Sequence, residues 1–421
     1  MIEVSAAVAL GVALGTFSGL VPGVHVNNFA LALAAAAPAF AGVVEPVVLG
    51  VVFVSSAVTH TYVDALPSFA LGVPDDSMAL AALPGHRLVL NGRGREAVAL
   101  SVVGSSLGLG FALAGALPLS AVMSRLYPSV AGGMAWVLVA VVVYLLATER
   151  GTEVGVPGRS LDGWRALRVR AVALYVLVAS GVIGAYVLRG SGSEDGLLMP
   201  LFVGLFAMPL LAASAAEDAG LPRQDDDVIR LRRRDVLFSA AGGGFAGSLV
   251  GWLPGMSPAV ATSAVQSALP RSESEADSMR SFVVGVSAVD TANAVYAALA
   301  LYYIGRPRSG VMVAFDELDV ALSSDVLALL VGALAVAAVA AHLVTLWLAG
   351  PVFEFARRVD YRWLSIGVAC FLVALTYALT GAVGVGVLAA ATLVGLVPNY
   401  TGVRRVNCMG CLLLPLIAFY L

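Results

Sequence analysis

One short pattern occurs twice in this chain, 232 positions apart, and both times it sets Pro-Gly into a stretch apolar enough to cross a membrane. The first copy is Gly11, Gly15, Gly19, Pro22, Gly23 and Pro38; the second is Gly243, Gly247, Gly251, Pro254, Gly255 and Pro270, with no insertion between matched positions. Self-similarity at a fixed offset marks an internal repeat. Proline lacks the N–H and clashes with the preceding turn, and glycine relaxes the backbone, so the pattern predicts a broken helix at both places. A helix broken inside a bilayer leaves backbone groups unpaired, which is tolerated only where they are buried in protein or line a polar cavity. Corresponding breaks in two halves point to a transporter's binding site.

Composition makes the membrane unavoidable. Hydrophobic residues are 60% of the chain and charged residues 12%, and the mean hydropathy is +0.93, far from a soluble domain with a quarter of its residues charged. Apolar runs of spanning length recur at 98–122, 131–147, 169–188, 196–213, 281–304, 324–349 and 363–396. With the broken segments counted, the expectation is an all-α polytopic membrane protein of about 10–12 membrane segments at about 20 residues each. It is arranged as two inverted repeats with helices broken at Pro-Gly. The N-terminus MIEVSAAVAL has no basic region before its apolar stretch and reads as structure rather than as a cleavable signal. The expected location is the plasma membrane, multi-pass, with membrane lipid as a partner.

All 24 basic residues are arginine. Without lysine there is no Walker A phosphate loop and no Schiff base, so ATP hydrolysis through a P-loop and Schiff-base chemistry are excluded. A net charge of −3 implies no nucleic-acid partner. Cys408 and Cys411 form a lone CxxC, which reads as small apolar packing rather than as a metal or redox site. Four scattered histidines in no HExxH-like grouping speak against an enzyme. No cofactor is expected, Na⁺ entering only as a candidate coupling ion.

Polar stretches divide the chain into a first transmembrane repeat over 1–213, a polar linker over 214–235 and a second transmembrane repeat over 236–421. Aqueous connections are expected at 85–96, 148–170, 189–195, 271–280, 305–319 and 357–362. Arg87, Arg93 and Arg95 follow the first broken region, whereas Asp316, Glu317 and Asp319 occupy the equivalent stretch of the second half. Opposite charge at matched loops is what inversion produces under the positive-inside rule. A homodimer is compatible with the sequence.

After each break a new half-helix begins, and its free N–H groups and dipole favour an anion. The candidate substrate-binding residues are therefore Gly19, Pro22, Gly23, His25, Asn27 and Asn28 in the first half, with Gly251, Pro254, Gly255, Ser257 and Thr262 in the second. For the spaced glycines the competing reading is close helix packing. Asp290 lies in FVVGVSAVDTANAVYAALAL, and a carboxylate that deep in an apolar span is functional by default. Thr291 and Asn293 stand near it, Asn293 on its helical face. Thr59, His60 and Asp64 occupy the corresponding region of the first half. A carboxylate with a histidine can carry a proton, and a carboxylate with hydroxyl and amide oxygens can hold Na⁺. These six are the candidate ion-coupling residues; a buried pair that merely satisfies itself is the alternative. His86 and His342 are assigned no role.

Two longer stretches carry a resemblance. LGVPDDSMALAALPGHRLVLNGRGREAVALS (71–101) resembles a segment of the large membrane subunit of tripartite tricarboxylate transporters, with its apolar run, Pro-Gly turn and Gly-Arg loop. SAVDTANAVYAALALYYIGRP (287–307) is similar to that family's second-half segment, where an acid, an Ala-Asn pair and a Gly-Pro turn follow each other. The resemblance implies a shorter, divergent member of the family. It implies secondary active transport of an organic anion, a carboxylate, coupled to H⁺ or Na⁺, with the site between two broken helices. In the family a small membrane subunit and a binding protein are the partners. The alternative is a polyprenyl-phosphate translocase, whose lipid phosphate suits the same half-helix termini.

Overall fold

The computed structural model describes residues 2–421 except 22–25, 27, 28, 31, 32, 35, 36, 41, 72–81, 150–162, 190–196, 217–220, 226–228, 254–257, 259, 260, 262–273, 359 and 360. The described regular structure is helical, and seven helices are long and apolar enough to cross a membrane: Ile2–Leu20, Pro46–Ala70, Gly94–Gly132, Gly163–Leu188, Ala276–Ile304, Ser324–Arg358 and Arg362–Thr401. Met134–Ala147, Leu198–Ala213 and Arg405–Tyr420 are shorter apolar helices. Trp136, Trp164, Trp347 and Trp363 and many Leu and Val side chains are exposed, the outward surface of a protein solvated by lipid. The chain is a multi-pass all-α membrane protein.

The chain divides into two compact units, Met1–Leu126 with Ala219–Tyr361, and Tyr127–Asp218 with Arg362–Leu421. The first unit contains α1 (Ile2–Leu20), α2 (Pro46–Val63), α3 (Ala65–Leu71), α4 (Ala82–Leu90) and most of α5 (Gly94–Gly132). The second unit contains α6 (Met134–Ala147), α7 (Gly163–Arg189), α8 (Leu198–Phe202) and α9 (Met208–Ala216), with a π-helical turn over Val203–Ala207 between the last two. After the linker the chain returns to the first unit as α10 (Arg233–Trp252), α11 (Glu275–Ile304), α12 (Gly310–Asp316) and α13 (Ser324–Arg358). It finishes in the second as α14 (Tyr361–Thr401) and α15 (Gly410–Tyr420). Helix α14 is interrupted at Gly381, whose φ of 65° lies in the left-handed region that glycine alone enters at low cost.

Glycines set the register of the first unit. A Cβ on Gly11 would lie 2.5 Å from the Cβ of Ser55, and one on Gly19 would lie 2.9 Å from the Cβ of Val63. Gly15, between them, touches the Ser56 carbonyl. Contacts that advance together along both helices mean that α1 and α2 run parallel. The same holds for α10 and α11: Gly243 meets Gly285, Gly247 meets Val289 and Ala292, and Gly251 meets Tyr296. Small residues on such seams let backbones approach closely, which drives helix association where water is absent. Two parallel neighbours need a return path. Helix α1 has 19 residues, about 28 Å at 1.5 Å per residue, so residues 21–45 carry the chain back across that distance. Within this stretch Val26, Phe29, Ala30, Leu33 and Ala34 are helical, and Ala30 and Ala34 pack into the core with Val51 and Val54.

Further contacts fix the other directions. Gly104 opposes Val284 and Gly108 opposes Ala288, so α5 runs parallel to α11. Ser106 bonds His342, while Gly94 meets Phe353 and Arg95 reaches Gly350, so α5 is antiparallel to α13. Gly50 touches Leu330, and Tyr62 and His342 share Ser106, so α2 runs parallel to α13. It follows that the pair α1 and α2 points opposite to the pair α10 and α11.

Two stretches expected as aqueous loops contain helices. Ala82–Leu90 is amphipathic: Arg87 and Leu90 are exposed while His86, Leu88 and Val89 are buried, and Gly85 packs on the Phe69 ring. Its charged side chain, Arg87, lies on the exposed face. Within 305–319, Ser309 caps α12 by accepting from the Met312 amide at 3.3 Å, and Phe315 packs on Gly50.

Described residues of the linker are pinned to the first unit. Glu96, fully buried, accepts from Arg93 Nε, from Arg280 Nε at 3.1 Å and from the Arg230 amide at 2.8 Å. Gln224 accepts from the Gly94 amide at 2.6 Å and donates to the Val89 carbonyl at 3.1 Å, while Leu221 and Leu231 enter the core. Removing one partner of a buried ion pair leaves the other charge uncompensated. Glu96→Ala is therefore expected to lower stability by about 3–5 kcal/mol, read by chemical denaturation in mild detergent. A loss below about 1 kcal/mol would mean an exposed pair.

Candidate functional site

The two glycine seams end shortly before the Pro-Gly pairs, which themselves lie outside the described residues. Helix α1 stops at Leu20 and α10 at Trp252, each two residues before a proline. Leu253 has already left the helix, with φ −93° and ψ 123°, as expected of a residue before proline. Beyond the second stop, Pro258 and Ala261 are helical. Pro22, Gly23, His25, Asn27, Asn28, Pro254, Gly255, Ser257 and Thr262 lie outside the described residues. Gly19 and Gly251, named with them as substrate contacts, are buried on the packed seams against Val63 and Tyr296.

The six candidate coupling residues are all described, and all belong to the first unit. Thr59 and His60 are buried in α2, Asp64 caps its C-terminus, and Asp290 and Thr291 are buried in α11. Asn293 is half-buried one turn on. The helix registers place them in depth. Because Gly108 opposes Ala288 and Ser106 bonds Tyr62, antiparallel α2 and α11 bring Asp290 level with Val58, to within about one helical turn. Val58 and Asp290 are matched positions of the 232-residue repeat. Thr59 and His60 follow directly, and Asp64 lies about 9 Å further along α2 at 1.5 Å per residue.

Local chemistry is built from hydroxyls. Thr59 Oγ1 donates to the Ser55 carbonyl at 2.8 Å and Thr291 Oγ1 to the Ser287 carbonyl at 3.2 Å. Ser55 with Thr59 and Ser287 with Thr291 are again 232 positions apart. His60 Nδ1 lies 2.9 Å from Ser18 Oγ, and the Ser18 hydroxyl is 3.3 Å from the Gly15 carbonyl. With that hydroxyl donating to the carbonyl, Nδ1–H donates to Ser18 and Nε2 is the basic nitrogen. Ser101 and Ser105 bind the Ser287 turn from α5, at 2.8 Å to its hydroxyl and 3.2 Å to its carbonyl. Two buried carboxylates, an imidazole and a ladder of hydroxyls thus share one unit of the membrane core, a composition able to exchange a proton or hold a small cation.

Three features were not read from sequence. His342 is half-buried and its Nδ1 lies 2.9 Å from Ser106 Oγ, which is 3.2 Å from Tyr62 Oη, so a chain of three polar groups crosses α2, α5 and α13. His86 Nδ1 meets the Phe69 carbonyl at 2.7 Å and holds α4 to α3. Trp252 and Tyr296 are fully buried aromatic residues at the end of the second seam. The cysteines of the CxxC are buried and unbridged, and among the described residues no group of three or more His, Cys, Asp and Glu side chains suits a metal ion.

Comparison with known proteins covers almost the whole chain. The family model of the tripartite tricarboxylate transporter TctA family matches residues 6–410. The chain is 27% identical over 425 aligned residues to an uncharacterized protein of Methanocaldococcus jannaschii, covering 98% of each. No solved structure matches it.

Proposed function

We propose, from the premise that the chain belongs to the tripartite tricarboxylate transporter TctA family, that it is the membrane permease of an organic anion, a carboxylate, driven by H⁺ or Na⁺. That it is a transporter component follows from the family itself. The family's tripartite organisation supports a small membrane subunit and a binding protein as partners in the cell membrane. The lipid-phosphate alternative draws no support from either comparison.

The observation that carries the coupled mechanism is the placement of Asp290. It is 5% exposed and level with Val58 of α2, the helix that bears Thr59 and His60 and ends at Asp64. A carboxylate held there without function is costly. The opposed directions of the two helix pairs support the reading as inverted repeats, each contributing one broken helix. So does the make-up of the first unit: shifted by 232 positions, residues 1–126 fall on 233–358, nearly the whole of its second stretch. In this reading Pro22-Gly23 and Pro254-Gly255 open two half-helix N-termini. Asn27, Asn28, His25, Ser257 and Thr262 present polar groups to the anion, and Asp290, Thr291, Asn293, Thr59, His60 and Asp64 handle the coupling ion.

The test is uptake of labelled citrate, succinate and other carboxylates into proteoliposomes under imposed H⁺ or Na⁺ gradients. Accumulation that follows one gradient and collapses with its ionophore is expected. Absence of carboxylate uptake or exchange under either gradient, with the partner subunits supplied, would overturn the reading. Within it, Asn27→Leu and Asn28→Leu remove hydrogen-bonding groups, worth about 1–3 kcal/mol where a buried partner is left unpaired. KM for the carboxylate should then rise by about 5- to 150-fold with expression and detergent stability kept. Unchanged kinetics in both variants would move the contact elsewhere.

A further inference from the structure

Tyr296 and Trp252 are 0% and 1% exposed, yet among the described residues the Tyr296 hydroxyl and the Trp252 Nε1–H have no hydrogen-bond partner. Buried Tyr and Trp normally find one, and each exception calls for an explanation. Both stand where α10 ends. Trp252 is its last residue, and the preceding Gly251 packs against the Tyr296 Cβ. The two belong to one buried cluster. A Cβ on Gly115 would lie 2.6 Å from the Tyr296 hydroxyl oxygen, so the glycine keeps space beside that hydroxyl. Trp252 also neighbours Tyr303, at 6.5 Å between ring centroids, with Tyr302 edge-on to Tyr303 at 5.0 Å. One helical turn before Tyr296, the Asn293 Oδ1 is also buried without a partner among the described residues.

We infer that the end of α10 and the facing turn of α11 form an oxyanion subsite, in which Tyr296 Oη–H and Trp252 Nε1–H donate to an oxygen of the transported anion. The inference rests on the transporter reading and gives it the residues that recognise the substrate. An indole N–H can only donate, and a phenol donates readily, so the missing partner is an acceptor. The donors are neutral, which suits a ligand that must be released: the anion is held by directed hydrogen bonds without a permanent counter-charge. The repeat adds a contrast. The positions matched to Tyr296 and Trp252 in the first half are Asp64 and Leu20, a carboxylate and an apolar side chain. An anion is repelled by a charged Asp64 and a cation attracted, so at these two matched positions only the second half offers donors to a substrate oxygen.

Tyr296→Phe and Trp252→Phe remove the donors and keep aromatic rings in place. The probes are citrate, succinate and inorganic phosphate, titrated by calorimetry against the detergent-solubilised protein, with indole emission followed in parallel. Each variant is expected to weaken the tightest probe at least fivefold, and the ligand-induced emission change should vanish in Trp252→Phe. Without ligand, Tyr296→Phe should melt no lower than the parent, because it deletes an unsatisfied group. Parent-like affinity in both variants overturns the subsite and leaves the transporter reading standing. Binding of phosphate but no carboxylate, lost in the variants, supports the subsite and removes the carboxylate from the proposed function. Binding of none of the three probes by the parent overturns the subsite, while carboxylate uptake with the partner subunits supplied decides the transporter reading.

Discussion

Asp290→Asn is expected to reduce gradient-driven accumulation to background while substrate binding and counterflow exchange persist. The substitution keeps the size of the side chain and most of its hydrogen bonding and removes only the charge. If the carboxylate binds the driving cation or carries the proton in each cycle, the neutral variant cannot link substrate movement to the gradient. Equilibrium exchange needs no such link. A carboxylate that only satisfies its neighbours predicts a different pattern, in which the variant assembles poorly or loses binding and uptake together. Uptake and exchange measured on the same proteoliposomes separate the outcomes, and full accumulation by the Asn variant would end the coupling role. His60→Gln carried through the same assays shows whether imidazole basicity is needed beside it.

The second large effect is structural. A side chain at Gly247 would place Cβ 2.6 Å from the Val289 carbonyl oxygen and 2.7 Å from the Ala292 Cβ. The first of these atoms is backbone and cannot rotate away, so α10 and α11 must move apart. Gly247→Val is expected to cost about 3 kcal/mol or more and to shift most of the protein out of the monodisperse peak on size-exclusion chromatography. Gly15→Val, against the Ser56 carbonyl on the matched seam, should behave alike. Gly132→Ala, with nothing within 4 Å of its would-be Cβ, is the control and should be neutral.

The membrane character and the apolar spans were readable because each is a pattern along the chain. The run at 324–349 became Ser324–Arg358 and that at 281–304 became Ala276–Ile304, the helices outlasting their apolar centres into polar ends. The loops at 85–96 and 305–319 were misread because charge density averages over a window, whereas a short helix exposes charge on one face and buries Val89 or Phe315 on the other. Depth was harder. Nothing in sequence places Asp290 level with Val58, since that needs the register of α5 against three neighbours. Trp252 and Tyr296 escaped for another reason: in a membrane chain an aromatic residue reads as core or interface, and its lack of a hydrogen-bond partner is visible only in three dimensions. His342 looked solitary because its partner, Ser106, is 236 residues away.

The parallel seams bear on how the chain is made. An antiparallel hairpin can close as soon as its second helix leaves the ribosome, because its partner waits beside the turn. Helices α1 and α2 cannot do so: the whole return stretch must be synthesised and laid across the membrane before Gly11, Gly15 and Gly19 meet Ser55, Ser56 and Val63. The same delay recurs at Gly243, Gly247 and Gly251, where the partner helix begins only at Glu275. During each interval a glycine-lined helix stands in lipid with its contact face uncovered. Biogenesis of this protein therefore has two vulnerable periods, set by the order in which its helices are synthesised.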